Sequence, residues 1–154
     1  MRDSWCHVAS VMVTVDAQSA FSFMQDGQNL GKWALGCWGG SIAENDLYYG
    51  HSLFDGKLVN VSIEPDCASL TVSFAVSAGA RVGARTPRII AKVIEGQTLG
   101  VGSDKCLITL IAWRHSEMSD SRWNQLCVSH ETEVLMIRHL VETKSRSINA
   151  KGED

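Results

Sequence analysis

His130 is the side chain whose position in the sequence most clearly suggests chemistry. It lies within SRWNQLCVSHETEVLMIRHLVETK, residues 121–144, where apolar residues recur at helical spacing. At about 100° per residue, one stripe roughly 100° wide collects the following side chains: Trp123, Leu126, Cys127, His130, Val134, Ile137 and Val141. A helix that buries this stripe places an ionisable ring at the centre of its buried face.

An imidazole in that position has two interpretations. Its unperturbed pKa of about 6.5 suits proton transfer near neutral pH, so a neutral His130 facing a cavity could take a proton from a carbon next to a carbonyl. The alternative is a core histidine whose ring nitrogens are satisfied by protein groups. Glu131 and Glu133 lie off the stripe and are predicted to face water.

Few other residues are candidates to act with His130. Tyr48 could donate a hydrogen bond to a ligand carbonyl, which makes it the second catalytic candidate, and Ser52 could assist. The predicted ligand contacts, each of which could equally belong to an ordinary core, are Phe21, Trp33, Trp38, Ser52, Phe54, Val59, Val61, Val72, Phe74, Trp113, Arg114, Trp123, Leu126 and Cys127.

No cofactor or metal is expected from the motifs. The chain has no Ser-His-Asp order, no Walker loop and no metal-ligand spacing. The segment GQTLGVG, residues 96–102, differs from GxGxxG and lies between predicted strands rather than at the start of a helix. His130 and His139 fall on different helix faces, unlike the paired histidines of mononuclear iron sites.

Composition excludes several classes of protein. A length of 154 residues fits one domain, and a net charge of -3 argues against a nucleic-acid binder. The local basic cluster Arg81, Arg85, Arg88 and Lys92 is either a solvated surface or an anion site. No apolar run approaches the ~20 residues that cross a bilayer. Five widely spaced cysteines without a CxxC predict reduced thiols in a cytoplasmic protein.

Periodicity predicts the order of elements. A strand at 4–15 precedes short helices at 17–26 and 28–34, and a long helix closes the domain at about 119–144, before a flexible polar tail at 145–154. The remaining predicted strands are 35–44, 47–54, 57–64, 69–78, 88–95 and 105–115. We therefore predict one α+β domain over 1–144, with a long helix lying across a curved antiparallel sheet of six or seven strands. The space between them is a natural ligand cavity.

Two details of register follow from the turns. A two-residue turn at Asp55-Gly56 would pair Ser52 with Val59 and Gly50 with Val61, which places the apolar side chains inward and His51 outward. Pro65-Asp66 should end the next strand. Strand 105–115 is apolar on both faces, so either Trp113 or Arg114 faces the cavity.

The element order and its residues resemble the START and birch-pollen-allergen superfamily (SRPBCC, helix-grip), particularly its bacterial polyketide cyclase/dehydrase-like members. The resemblance spans about residues 8–144 and is carried by three segments: VMVTVDAQSAFSFMQDGQNLGKWA, GHSLFDGKLVNVSIEPDCASLTVSFAV and EVLMIRHLVE. These segments specify a layout more than a chemistry.

The resemblance implies a protein that binds a hydrophobic, aromatic or polycyclic small molecule. It further implies metal-free acid/base chemistry of the cyclase, dehydratase or lyase type with His130 as acid/base. The alternatives are a non-catalytic carrier or sensor of a hydrophobic ligand, and a chaperone-like domain that binds a partner protein. The oligomeric state is left open, with a homodimer as one alternative.

Overall fold

The structure is a computed structural model, and it describes residues 3–42, 47–78 and 86–152. The end of the strand predicted at 35–44 lies outside the described residues, as do Arg81 and Arg85 of the basic cluster. Within the part of the chain that is described, no helix combines the length and the apolar character needed to cross a membrane.

The described residues form one curled antiparallel sheet of seven strands. In chain order these strands are β1 (Cys6–Val13), β2 (Trp38–Ile42), β3 (Tyr48–His51), β4 (Leu58–Asp66), β5 (Thr71–Ala78), β6 (Ile89–Glu95) and β7 (Cys106–Trp113). Their order across the sheet is β1-β7-β6-β5-β4-β3-β2, so the first and last strands of the sequence pair with each other. The remaining neighbours follow the chain as a meander.

Two short helices connect β1 to β2. Helix α1 (Ala17–Gln25) begins at Asp16, whose carboxylate accepts a hydrogen bond of 2.9 Å from the Ser19 backbone N–H. Helix α2 (Gly27–Trp33) begins at Asp26, which accepts one of 3.0 Å from the Gln28 N–H. These side-chain caps satisfy backbone donors that have no partner within the helix. A single 3-10 turn at Leu35–Cys37 leads into β2.

Helix α3 (Asp120–Lys151) is the long helix predicted to close the domain. Its N-cap is Ser119, whose hydroxyl accepts from the Arg122 N–H at 3.2 Å. The helix continues seven residues past the predicted end at 144, since no glycine or proline interrupts it before Gly152. Residues 145–151 are therefore helical, and the flexibility of that segment stays a prediction.

The core lies between the concave face of the sheet and the three helices. Val134, Ile137 and Val141 of α3 are buried there with apolar side chains of β1 and α1. On β7 the buried set is Cys106, Ile108, Leu110 and Ala112. That face is therefore the inner one as far as Ala112, but at the end of the strand it is Trp113, and not Arg114, that lines the space between sheet and helices. The predicted α+β helix-grip architecture is confirmed.

The β3–β4 hairpin differs from the predicted register by two residues. Gly50 pairs with Val59, and Tyr48 with Val61. The loop has four residues, 53–56, instead of two. The Ser52 N–H donates to Lys57 O, which makes these two residues the closing pair, and the Gly56 N–H donates to Ser52 O within the loop. A shift of two keeps every side chain on its predicted face, since side chains alternate.

The end of β4 also differs from the prediction. The strand continues through Pro65 to Asp66, with Pro65 opposite Val72. A proline is accepted in a strand where the ladder does not need its missing N–H. Pro65 therefore does not terminate the strand.

Candidate ligand-binding cavity

A cavity of about 330 Å³ lies between the sheet, α2 and α3. Its apolar wall includes Val59, Val61 and Phe74 from the sheet and Leu30 and Trp33 from α2. The volume is at the small end of the range typical of ligand pockets. Its position corresponds to the space between sheet and helix where a ligand cavity was predicted from the sequence.

Nine of the predicted site residues line this cavity: Trp33, Ser52, Phe54, Val59, Val61, Phe74, Trp113, Leu126 and His130. They come from α2, the β3–β4 hairpin, β4, β5, β7 and α3. The structure therefore brings together residues that are almost a hundred positions apart in the sequence.

Seven predicted site residues lie elsewhere: Phe21, Trp38, Tyr48, Val72, Arg114, Trp123 and Cys127. Phe21 and Val72 are fully enclosed in the core, and Trp38 is 37% exposed. Trp123 and Cys127 pack in a separate cluster with Ala112. Arg114 donates a hydrogen bond of 2.8 Å to Met118 O and forms an ion pair with Asp120. Its charge is therefore paired at the start of α3.

Tyr48 does not reach His130 because its ring occupies the space left by a glycine. A Cβ at Gly27 would lie only 1.8 Å from the Tyr48 ring. The ring therefore packs against the first residue of α2 and the main core. Its predicted role as a hydrogen-bond donor in the site has no geometric support.

The polar partner that the structure gives His130 is Glu133. Both side chains are almost fully buried, and His130 Nε2 lies 3.7 Å from Glu133 Oε2. The other carboxyl oxygen, Oε1, accepts a 2.8 Å hydrogen bond from the Leu35 backbone N–H. Among the described residues, His130 Nδ1 has no hydrogen-bond partner. Both residues line the cavity.

Burial moves the pKa values of this pair towards the neutral forms. It lowers the pKa of His130 to about 4, and the charges of His7 and Arg122 act in the same direction. It raises the pKa of Glu133 to about 7, against the opposing effects of the Leu35 N–H and Arg122. Although the two side chains are within ion-pair distance, burial outweighs their attraction. Between about pH 4 and pH 7 they form a neutral pair rather than a salt bridge.

Arg122 brings a cation to the same cavity. Its guanidinium carbon lies 4.7 Å from the centroid of the Phe54 ring, a cation–π geometry. Both residues line the cavity. Behind His130, the ring of His7 lies 6.3 Å away, centroid to centroid, and His7 Nε2 is 3.7 Å from Glu131.

Glu133 and Arg122 were missed from the sequence, but a helical pattern identifies them. Arg122, Leu126, Ser129 and Glu133 follow the spacing i, i+4, i+7, i+11, and all line the cavity. At about 100° per residue they lie roughly 40–100° to one side of His130. Trp123, Cys127 and Val134 of the buried stripe lie on its other side. Helix α3 thus has a core-facing edge and a polar cavity-facing edge, and His130 marks their boundary.

Metal-binding side chains do not converge at this cavity or elsewhere in residues 3–42, 47–78 and 86–152. Within those ranges no three or more His, Cys, Asp or Glu side chains are grouped so that they could hold a metal ion. The groups available for chemistry at the described part of the cavity are carboxyl, imidazole, hydroxyl, thiol, ammonium and guanidinium.

An antiparallel sheet curled on a long C-terminal helix, with a cavity between them, defines a helix-grip protein. No family model and no curated protein sequence matches the chain. Solved structures do match. The Zhui aromatase/cyclase from Streptomyces sp. R1128 has a TM-score of 0.63 at 11% identity, covering 92% of this chain and 93% of that one.

Two further structures extend the comparison. A START superfamily protein from Mycobacterium smegmatis has a TM-score of 0.60 at 12% identity, covering 91% of this chain and 99% of that one. The di-domain ARO/CYC BexL of the BE-7585A biosynthetic pathway has a TM-score of 0.63 at 16% identity, with 92% of this chain and 47% of that one covered. These matches confirm, at the level of fold, the resemblance to the START and birch-pollen-allergen superfamily. Activity has to be argued from the site.

Proposed function

We propose that this protein binds a hydrophobic, aromatic or polycyclic small molecule in the cavity and transfers a proton to or from it. The observation that carries the proposal is the buried pair of His130 and Glu133 on the wall of an otherwise largely apolar cavity. A cavity used only for carriage needs apolar walls. Two titratable groups that converge inside the cavity favour a catalytic function. Burying such groups costs folding free energy, and groups of this kind cluster at functional sites.

The pair has the properties of a general base. With its proton on Nε2, towards Glu133, the neutral imidazole keeps a lone pair on Nδ1, which has no partner among the described residues. That lone pair could accept a proton from a carbon next to a ligand carbonyl, leaving an enolate and an imidazolium. An ionised Glu133 would stabilise the imidazolium. Because the pKa of Glu133 is about 7, the rate should rise as pH increases through 7.

The proposal is tested with an enolisable bicyclic ketone, 2-tetralone. Binding is measured by quenching of tryptophan fluorescence, since Trp33 and Trp113 line the cavity. Proton transfer is measured by NMR as exchange of the α-hydrogens in D2O. We expect wild-type protein to accelerate exchange, and His130→Phe and Glu133→Gln to bind the ketone but lose the acceleration. His139→Phe, an exposed histidine on the same helix, is the matched control and should behave like wild type.

Each contrary result has a definite meaning. Binding without any acceleration of exchange would refute proton transfer and support the second candidate, a carrier or sensor that uses the same apolar walls. Failure to bind the ketone and related bicyclic compounds would refute the ligand class as well. The open cavity argues against the third candidate, a chaperone-like domain with a collapsed interior.

We further propose a cytoplasmic location, which the unbridged thiols of Cys6, Cys37, Cys67 and Cys106 support. A homodimer remains one alternative for the oligomeric state, and sedimentation equilibrium would decide it.

A further inference from the structure

The charged side chains around the cavity are not balanced. The cavity is lined by three cationic side chains and two acidic ones. The cations are Arg122, Arg88 and Lys57, and the acids are Asp55 and Glu133. Lys57 and Asp55 lie 3.8 Å apart with side chains 76% and 49% exposed, so they form a solvated pair at the rim. Burial keeps the carboxyl of Glu133 largely protonated below pH 7. The two arginines are therefore left without a matching anion within the described part of the cavity.

Arg122 is the better placed of the two arginines. Its guanidinium rests on the Phe54 ring, and its Nη1 is buried with no hydrogen-bond partner among the described residues. Two other arginines near or on α3 have acidic partners: Arg114 pairs with Asp120, and Arg146 with Glu142. No carboxylate of residues 3–42, 47–78 or 86–152 pairs with Arg122 in this way, although it is close enough to Asp55 to lower the pKa of that acid slightly.

A buried guanidinium donor without an acceptor is unfavourable unless something supplies the acceptor. The Phe54 ring holds the plane of the guanidinium but offers no lone pair in that plane. The missing partner is thus a planar, anionic acceptor that enters through the cavity. A carboxylate matches this geometry because its two oxygens can accept a pair of parallel N–H bonds.

We propose that the ligand of this cavity is an aromatic or polycyclic carboxylate whose acid group is bound by Arg122. The inference rests on the proposed function and narrows its ligand class. The apolar body of such a ligand would lie against Phe74, Val59 and Val61, which share the cavity with Arg122. Arg88 adds a second positive charge at the cavity. It belongs to the basic cluster for which the sequence left an anion site as one of two interpretations.

A matched pair of ligands tests this inference. The probes are 2-naphthoate and 2-naphthamide, which have nearly the same shape and differ in charge. Their affinities are measured at pH 6, where the carboxyl of Glu133 is largely protonated, by isothermal titration calorimetry for the wild type and for Arg122→Gln, Arg122→Lys and Arg138→Gln. Arg138 is an exposed arginine of α3 that does not line the cavity, so its variant is the matched control.

We expect wild-type protein to bind the carboxylate at least tenfold more tightly than the amide. Arg122→Gln should abolish this preference, and its retained binding of the amide shows that the cavity is intact. Arg122→Lys should keep part of the preference, and Arg138→Gln all of it. The calorimetric titration is repeated at 50 and 300 mM NaCl to separate a local contact from general attraction, since a buried pair is screened much less than exposed charges.

The contrary outcomes separate the two proposals. Equal affinity of the wild type for both probes would overturn the carboxylate inference and leave the proposed ligand-binding function standing. A preference that survives in Arg122→Gln would overturn the role of Arg122. If neither probe binds, the proposed function is overturned for ligands of this size, and the inference with it.

Discussion

Removing His130 or Glu133 should change the pH dependence of folding stability in opposite directions. The two side chains have pKa values displaced towards their neutral forms, one downwards and one upwards. Each displacement means that the folded and unfolded chains bind a proton with different affinity. The unfolding free energy therefore changes with pH over the range between the two pKa values of each group.

The sign differs between the two groups. The pKa of Glu133 rises from 4.5 to about 7 on folding, so its contribution to stability is complete below pH 4.5 and is lost as pH rises through 7. The pKa of His130 falls from 6.5 to about 4, so its contribution is complete above pH 6.5 and is lost as pH falls through 4. At about 1.4 kcal/mol per pH unit, each is worth about 3 kcal/mol. In the wild type the two slopes nearly cancel between pH 4.5 and 6.5.

Single variants should expose the two slopes. Relative to wild type, Glu133→Gln should gain about 3 kcal/mol of unfolding free energy between pH 4.5 and 7, because it no longer carries a buried carboxylate that ionises. Its amide oxygen can still accept the Leu35 N–H. His130→Phe should lose about 3 kcal/mol relative to wild type between pH 4 and 6.5, because the slope of Glu133 is then uncompensated.

The measurement is urea denaturation followed by tryptophan fluorescence at half-unit steps from pH 4 to pH 8. His139→Phe controls for the loss of an exposed histidine and should run parallel to wild type. Differences in pH slope are compared rather than absolute stabilities, because His130→Phe also alters packing. If both variants ran parallel to wild type, the burial of this pair, and the proton chemistry argued from it, would be refuted.

The remaining predictions concern the core and the thiols. Ile137→Ala should lower the unfolding free energy by about 2–5 kcal/mol, because Ile137 is fully buried, whereas Leu135→Ala, 52% exposed, should cost under about 1 kcal/mol. Urea denaturation checks both, and a cost below about 1 kcal/mol for Ile137 would mean that the wrong helix face is in the core. With Ellman's reagent at pH 8, Cys67→Ser should remove a fast-reacting thiol, because Cys67 is exposed. Cys37→Ser and Cys106→Ser should not, since burial raises the pKa of those thiols to about 11 and about 12; loss of fast reaction in either would contradict this.

Local periodicity was sufficient to determine the architecture. The alternation of β1 and the apolar stripe of α3 each require one buried face, and a strand-rich chain closed by one long helix has few ways to bury both. The seven strands, two short helices and long helix follow from that constraint. Predictions that depended on a single turn or terminus were less accurate, as at Asp55-Gly56, Pro65 and residue 144, because weak local signals yield to tertiary packing.

The cavity-facing edge of α3 could be decided only by the tertiary structure. Sequence placed Glu133 in water because it lies off the apolar stripe. In the fold, the segment that follows α2 covers that side of the helix, and the Leu35 N–H meets the carboxyl from 98 residues away. Tyr48 shows the converse, since its ring was expected in the site but fits the space beside Gly27. Helical spacing determines which side chains share a face, whereas the burial, pKa and reactivity of each one depend on the chain that packs against it.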